Sequence, residues 1–466
     1  MQDKKGLSLD ALKSDNFQTS RELMIAAYRS VRNQTQQLCQ PLAVEDCVVQ
    51  TMKLVSPTKW HLAHTTWFFE QFMLMNFFTG YQPYNEQYLY LFNSYYNTVG
   101  PQHCQAQRGY LSRPTVEEVY TYRQQIDAHM IDLLLTAPQD NIPELRNLLV
   151  VGINHEQQHQ ELILTDIKHV FSSNPLMPAY NTPDSEPASH PIQSMHWIEH
   201  QGGLADIGFE YHKLSQDKQY QALSDLFQID DGLAARALLC SEFCFDNEKP
   251  KHTTFLQPFA IANRLVTNGE YMGFLEDQGY EKPEFWLSLG WQWRKDNNAT
   301  HPLYWYKQDD IWKQYTLAGP LTVDPNEPLC HVNYFEADAF ARWAGYRLPR
   351  EDEWESATSN CKLDGNLMES NRFHPITPDP QSNETKLIQA FGDVWEWTSS
   401  PYTSYPGYQP ADGALGEYNG KFMCNQQVLR GGSCATPTDH IRNTYRNFWS
   451  PETRWQFTGI RLARDI

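Results

Sequence analysis

The 466-residue sequence has no apolar run approaching the ~20 residues that a membrane-crossing helix needs. Its first residues, MQDKKGLSLDALKSDNF, lack the basic-then-apolar order of a secretory leader. Positive charge is scarce: 37 Lys and Arg stand against 56 Asp and Glu, a formal net charge of −19. Nucleic acid and anionic membranes both want a basic patch, so neither partner is expected. Cysteine is sparse and scattered. The nine are odd in number, and the close pair Cys240 and Cys244 has no second pair to complete a zinc ribbon or a disulfide framework. A reducing cytoplasm is the expected setting. No internal repeat is visible.

What is present suits a well-packed globular protein. Hydrophobic residues make up 41% and aromatics 13%, and the length asks for two domains. Residues 1–172 read as helical, with candidate helices at Arg21–Cys39, Thr58–Phe78, Thr115–Thr136 and Pro143–Phe171. Trp60, His64, Trp67, Gln71, Leu74 and Phe78 lie on one stripe of the second. Four such helices imply an antiparallel bundle, a scaffold that builds metal sites from facing helices. Residues 173–194 are rich in proline and small polar residues and read as a linker. From 195 to 466 short runs are punctuated by Gly, Trp, Tyr and Pro, with helical patches at Asn268–Glu276 and Asn333–Gly345. The expected fold class is α+β, a helical bundle followed by a mixed domain.

The fourth helix carries His155-Glu156-Gln157-Gln158-His159. Histidines four apart share a helix face, with Cβ atoms about 6 Å apart, within reach of one metal ion. They continue the inward stripe of Leu145, Leu148, Leu149 and Gly152, with Leu162 beyond, so imidazoles point where leucines would. A buried polar pair needs partners, and a metal supplies them. Two core histidines satisfied by hydrogen bonds are the plainer alternative. The pentad also fits the HExxH pattern of zinc peptidases, with Glu156 as general base. No HxxGxxH-type third ligand follows, and Glu161 and His169 are poorly spaced substitutes.

Beyond these local patterns, five motifs in order resemble the formylglycine-generating-enzyme-like (sulfatase-modifying-factor) fold. They are Val266-Thr267-Asn268-Gly269-Glu270-Tyr271, the run Trp343 to Glu355 (WAGYRLPREDEWE), Gly392 to Thr398 (GDVWEWT), Arg430-Gly431-Gly432-Ser433, and Gly459 to Ala463 (GIRLA). The first domain, with Leu62-Ala63-His64 and the His155–His159 pentad, resembles the DinB-like bundle. Joined in this order, the two resemble the ergothioneine-type sulfoxide synthases, non-haem iron enzymes. The resemblance implies Fe(2+) held by His64, His155 and His159. His61 lies one turn before His64, and spacing alone would not choose between them; the Leu-Ala-His context favours His64.

Three imidazoles on one face of an octahedral ion leave three positions open, a variant of the facial triad of oxygen-using iron enzymes. Zinc is left open by the ligand types. In the resembling family O2 drives the joining of a thiol to the imidazole C2 of hercynine (Nα-trimethylhistidine), with oxidation of the sulfur to a sulfoxide. Tyr95 and Tyr96 are candidates for an acid or redox-active group. Arg108 matches a thiol-site basic position, whereas Gln105 stands where relatives carry a second. Arg113 is an alternative anchor. Gln158, Tyr418 and Asn447 match hercynine contacts, and Trp395, Trp397, Phe448 and Trp449 offer faces for its quaternary ammonium. The γ-glutamylcysteine-using branch has a tyrosine where Leu415 stands, and Asp and Arg where Trp449 and Thr453 stand. Free cysteine is therefore the expected donor.

Formylglycine generation needs a cysteine pair near the end of the domain; only Cys434 follows Arg430–Ser433 there. A purely ligand-binding lectin-like module would not need the three histidines. Ovothiol-type relatives usually append a methyltransferase domain, which is not expected after the Gly459–Ala463 motif. Selenoneine-forming relatives share both domains and use a selenium donor. Oligomeric state is not legible.

Overall fold

A computed structural model describes residues 17–181, 190, 194–210, 231–378 and 386–466. Half of the proline-rich stretch expected as a linker, residues 182–189 and 191–193, lies outside the described residues. Two compact units are present. The first runs to Val170 and includes the helix Asp231–Leu239 and the short stretch Gly413–Leu415; the second holds most of the remainder from Phe171 onward. The helix Asp231–Leu239 follows the proline-rich stretch in sequence yet packs on the first helix of the chain. No described helix is long and apolar enough to cross a membrane.

The first unit is built on helices α1 (Phe17–Cys39), α2 (Thr58–Phe69), the short α3 (Glu86–Leu91), α4 (Val116–Thr136), α5 (Ile142–Ser172) and α6 (Asp231–Leu239). The Thr115 side chain caps α4 and Glu118 closes a capping box, satisfying two backbone N–H groups that a helix start leaves open. Every residue of α2 is buried, including Lys59, His61 and His64. Surrounded on all sides, this helix needs partners for each polar group it carries.

The helix expected over Thr58–Phe78 is not uniform. A π-helical turn, Glu70–Leu74, follows α2, and a last α-turn spans Met75–Phe77. Glu70 is the physical reason. It is fully buried, and its carboxylate accepts from the Tyr81 and Tyr122 hydroxyls and the Tyr84 backbone N–H. The wide turn rotates the later residues, so Phe72 and Met73 are buried whereas Gln71 and Phe78 are only half-buried. A period of 3.6 carried through this point misplaces the stripe.

On α5 the stripe is inward as expected for Leu145, Leu149 and Gly152, while Leu148 and Leu162 are half-buried. A Cβ at Gly152 would stand 2.4 Å from the Phe69 ring, so glycine here lets α5 approach α2 closely.

The second unit combines small sheets and helices, the α+β arrangement expected. Strands β1 (Trp197–His200), β4 (Phe259–Ala262) and β12 (Ala463–Asp465) form one antiparallel sheet in the order β1-β4-β12. A second sheet has the order β10-β9-β8-β11, from Asn447–Trp449, Gln427–Arg430, Trp395–Pro401 and Thr458–Gly459, with the last strand parallel to β8. β2 (Gly203–Ile207) pairs with β3 (His252–Leu256), and β5 to β7 (Trp305–Gln308, Ile311–Thr316, Gly319–Thr322) make a meander. Helices α7 (Asn268–Glu276) and α9 (Tyr334–Trp343) start at capping boxes built on Thr267 and Asn333; α8 (Ser288–Asp296) and α10 (Glu351–Thr358) complete the set.

Three sequence motifs of this unit meet at one carboxylate. Glu396 of the GDVWEWT run is fully buried, accepts from the Trp354 indole N–H at 2.7 Å, and pairs with Arg461 of the GIRLA run at 2.8 Å. These motifs tie strands and a helix together. Trp395 and Trp397, considered for the quaternary ammonium, are core: both are buried, and the Trp397 indole N–H donates to the Val332 carbonyl.

Candidate metal centre

The first unit brings together His64 from α2 and His155 and His159 from α5. Their ligand atoms lie within 4.8 Å of one another, and all three residues are buried. His64 Nε2 is 3.1 Å from His155 Nε2. Two nitrogens bound at ~2.1 Å and at a right angle to each other about one ion would stand about 3.0 Å apart, so this pair is spaced for a shared metal. Two of the nitrogens turned away, those of His64 and His159, are engaged. The Nδ1–H of His64 donates to the Phe92 carbonyl at 2.6 Å, and Nδ1 of His159 lies 2.8 Å from Nδ1 of His61. Such contacts fix ring orientation and leave Nε2 of His64 and of His159 for an ion.

Electrostatics favours the neutral rings that metal binding requires. Burial pushes the His155 imidazole down to about 3, and burial together with the neighbouring imidazoles drives His64 and His159 well below the usual histidine range. The trio therefore fits a divalent ion that takes imidazole ligands. His61, the alternative to His64 on spacing, lies outside this cluster; its other nitrogen pairs with Asp166.

A column of flat groups runs through the site. The Arg108 guanidinium sits 3.3 Å over the Trp60 ring, Trp60 stacks on His64 at 4.6 Å and 12°, and His64 stacks on Trp67 at 5.5 Å and 15°. Arg108 is buried, and burial pushes its guanidinium down to about 9. Among the described residues it has no ion-pair partner. Its NH1 donates to Ser56 Oγ at 2.9 Å, and its Nε is buried without a hydrogen bond. A buried cation with no carboxylate in direct contact, Asp166 acting on it only at longer range, is costly and is suited to receive an anion. Gln105 turns elsewhere, its side-chain N–H donating to the Leu54 carbonyl. Arg113 is exposed and bonds the carbonyl of Ser112.

Glu156 faces away from the trio. Its carboxylate is fully buried between Arg32 and Arg123 and also accepts from the Thr35 hydroxyl at 2.6 Å. Burial alone would raise its pKa, but Arg123 and Arg32 hold it down to about 2. A general base must reach the reacting proton; this carboxylate is committed to two guanidinium groups on the far side of the helix. The peptidase reading of the pentad fails on that geometry. Sequence reasoning missed Arg32 and Arg123. Their signal was positional: Tyr28, Arg32 and Thr35 form a stripe at helical spacing on α1 and are buried.

Tyr96 is fully buried and Tyr95 half-buried. The Tyr96 ring packs on Trp67 at 5.7 Å and on Phe68 at 6.4 Å, the rings that lie against His64 and His155 respectively. Tyr95 packs on Tyr96 at 4.7 Å. Gln158 is half-buried between the two helix histidines. Tyr418 and Asn447 belong to the second unit. Tyr418 is buried and stacks on Phe245 at 5.3 Å; Asn447, on β10, is half-buried and its Oδ1 accepts from the Phe448 N–H. Phe448 stacks on Tyr402 at 4.0 Å, and Trp449 meets Trp455 edge-on.

Comparison with known proteins agrees with this architecture. Residues 212–466 match the sulfatase-modifying factor enzyme 1-like domain, and residues 27–163 match the DinB superfamily. A hercynine oxygenase of Mycolicibacterium smegmatis is 30% identical over 391 residues, 78% of this chain and 82% of that protein. The hercynine oxygenase of Mycobacterium tuberculosis is 35% identical over 244 residues, 47% of this chain; the chain spans only 56% of that relative's length. Ergothioneine biosynthesis protein 1 of Schizosaccharomyces pombe is 27% identical over 48% of this chain and 28% of its own length.

Proposed function

We propose, from the premise that this chain belongs to the hercynine oxygenase family of oxidoreductases, that it joins free cysteine to hercynine in ergothioneine biosynthesis. The cysteine S–H and the imidazole C2–H are lost, an S–C bond forms, and the sulfur leaves as a sulfoxide. Dioxygen accepts the four electrons, one oxygen atom going to sulfur and the other to water. The observation that carries this reading is the buried trio His64, His155 and His159. Iron(II) held there would supply oxygen activation and bring thiolate and imidazole side by side.

The chain's own residues supply the rest. Burial keeps water from the trio and holds its rings neutral. Arg108 takes the carboxylate of cysteine; its buried Nε without a hydrogen bond and its lack of a direct ion pair support that role. Gln158, set between His155 and His159, is the hercynine contact assigned to the first unit; Tyr418 and Asn447 enter only as positions where the resembling family contacts hercynine. Tyr95 or Tyr96 moves a proton or an electron at its phenol oxygen, steering the oxidant toward C–S bond formation. The cysteine donor rests on Leu415, Trp449 and Thr453 standing where the γ-glutamylcysteine branch carries other residues.

The direct test is anaerobic protein supplied with iron(II), hercynine and cysteine, then exposed to air, with the S-linked sulfoxide sought by mass spectrometry. γ-Glutamylcysteine and a selenosugar run in parallel. Turnover of either alternative without turnover of cysteine refutes the donor assignment. Arg108→Ala is expected to raise the KM for cysteine by about 10–100-fold, the worth of a charge-assisted contact, and to leave the KM for hercynine within about twofold. Tyr95→Phe combined with Tyr96→Phe is expected to divert turnover to simple thiol oxidation, read as cystine formed per oxygen consumed. An unchanged sulfoxide yield removes both tyrosines from the mechanism.

A further inference from the structure

His61 is buried on α2, one turn before His64, and the mechanism above does not use it. Its two nitrogens are both engaged. Nδ1 lies 2.8 Å from Nδ1 of His159, and Nε2 lies 3.0 Å from Asp166 Oδ2. Asp166 is itself buried on α5, and the same oxygen accepts from the Ser56 backbone N–H at 2.8 Å.

Hydrogen-bond logic fixes the direction of this chain. A neutral His159 that offers Nε2 to an ion must carry its hydrogen on Nδ1. That hydrogen is then donated to His61 Nδ1, which accepts. The hydrogen of His61 therefore sits on Nε2 and is donated to the carboxylate. With both imidazoles neutral and the carboxylate accepting, the donors of the series meet acceptors when His159 keeps Nε2 bare.

We propose that His61 and Asp166 are positioning residues for His159, holding its ring and tautomer so that Nε2 is presented to the metal. The assignment rests on the three-histidine reading. It differs from the common arrangement in which a ligand histidine donates straight to a carboxylate or carbonyl, because a second imidazole is interposed. Electron density passes from the carboxylate through two hydrogen bonds and makes His159 a stronger donor to the ion.

The test is metal affinity of metal-free protein, by anaerobic chelator competition with iron(II) and with cobalt(II), whose visible spectrum reports the ligand set. His61→Leu and Asp166→Asn are each expected to weaken binding by about 10–100-fold. His61→Asn returns an acceptor oxygen near the place of Nδ1 and is expected to recover most of the loss. The cobalt bands should shift in His61→Leu and return in His61→Asn, a pattern that lost packing would not give. Wild-type affinity in both His61→Leu and Asp166→Asn overturns the assignment, as does His61→Asn binding no better than His61→Leu. Should His61→Leu fail to fold, Asp166→Asn decides, since it changes charge and not volume. A wild-type chain that holds neither metal refutes the three-histidine site itself; tight wild-type binding with unaffected variants refutes only the positioning role.

Discussion

Replacing His155 or His159 with alanine is expected to lower sulfoxide formation by more than about 1,000-fold. The scale follows from comparison. Groups that merely orient a metal ligand are worth about 10–100-fold in affinity or activity, and removing the ligand itself must cost more. Two imidazoles cannot recover the missing position from the surroundings, since the rings packed around the trio are those of Trp60, Trp67 and Phe68, which carry no metal-binding nitrogen. His61 is the nearest spare imidazole; its Nε2 stays on Asp166 in either variant, and its Nδ1 stays on His159 in His155→Ala. The fold should survive the change. Each histidine is buried at a desolvation cost, so alanine relieves a polar burden even as it leaves a small cavity. Product yield under saturating iron, beside circular dichroism of the same samples, separates lost chemistry from lost structure.

The second large effect falls on stability. Glu156→Gln leaves Arg32 and Arg123 buried without the carboxylate that pairs with both. Removing one member of a buried ion pair costs about 3–5 kcal/mol, a large share of the ~5–15 kcal/mol that holds a domain folded. Arg32 keeps Asp127 at 2.7 Å and the Thr66 hydroxyl; Arg123 keeps Thr65 and the Arg32 carbonyl. These contacts soften the loss and favour the lower end. The pH dependence has a definite sign. The carboxyl sits at about 2 in the folded chain, against ~4.3 when unfolded, so its stabilisation is complete above ~4.3 and disappears as pH falls toward 2. Denaturant unfolding should therefore show the deficit of Glu156→Gln in full at neutral pH and narrowing below about pH 4. A peptidase-like general base would give the reverse picture, intact stability with lost catalysis.

Much of this architecture was legible because the signals were periodic or local. The second and fourth helices announced themselves by the spacing of their inward stripes, and His155 and His159 were conspicuous because imidazoles occupied leucine positions. What escaped depended on partners far away in sequence. The π-turn at Glu70–Leu74 arises from a carboxylate held by Tyr81, Tyr84 and Tyr122, none of which spacing within the helix reveals. Glu156 looked like a catalytic base because the pentad carries no record of Arg32 and Arg123. His61 and His64 were equivalent by spacing; the Leu-Ala-His context favoured His64, and the contacts with Phe92, His159 and Asp166 separate their roles in the structure. The helix Asp231–Leu239 belongs to the first unit for the same reason, since its packing on α1 spans most of two hundred residues of intervening chain.

The centre itself is tested most directly by titrating metal-free protein with iron(II) under anaerobic conditions and counting bound iron per chain. Tight binding of a single equivalent is expected in the wild type, with near-complete loss in His64→Ala, His155→Ala and His159→Ala. Iron uptake that is absent from the wild type, or that persists undiminished in all three variants, would contradict the account.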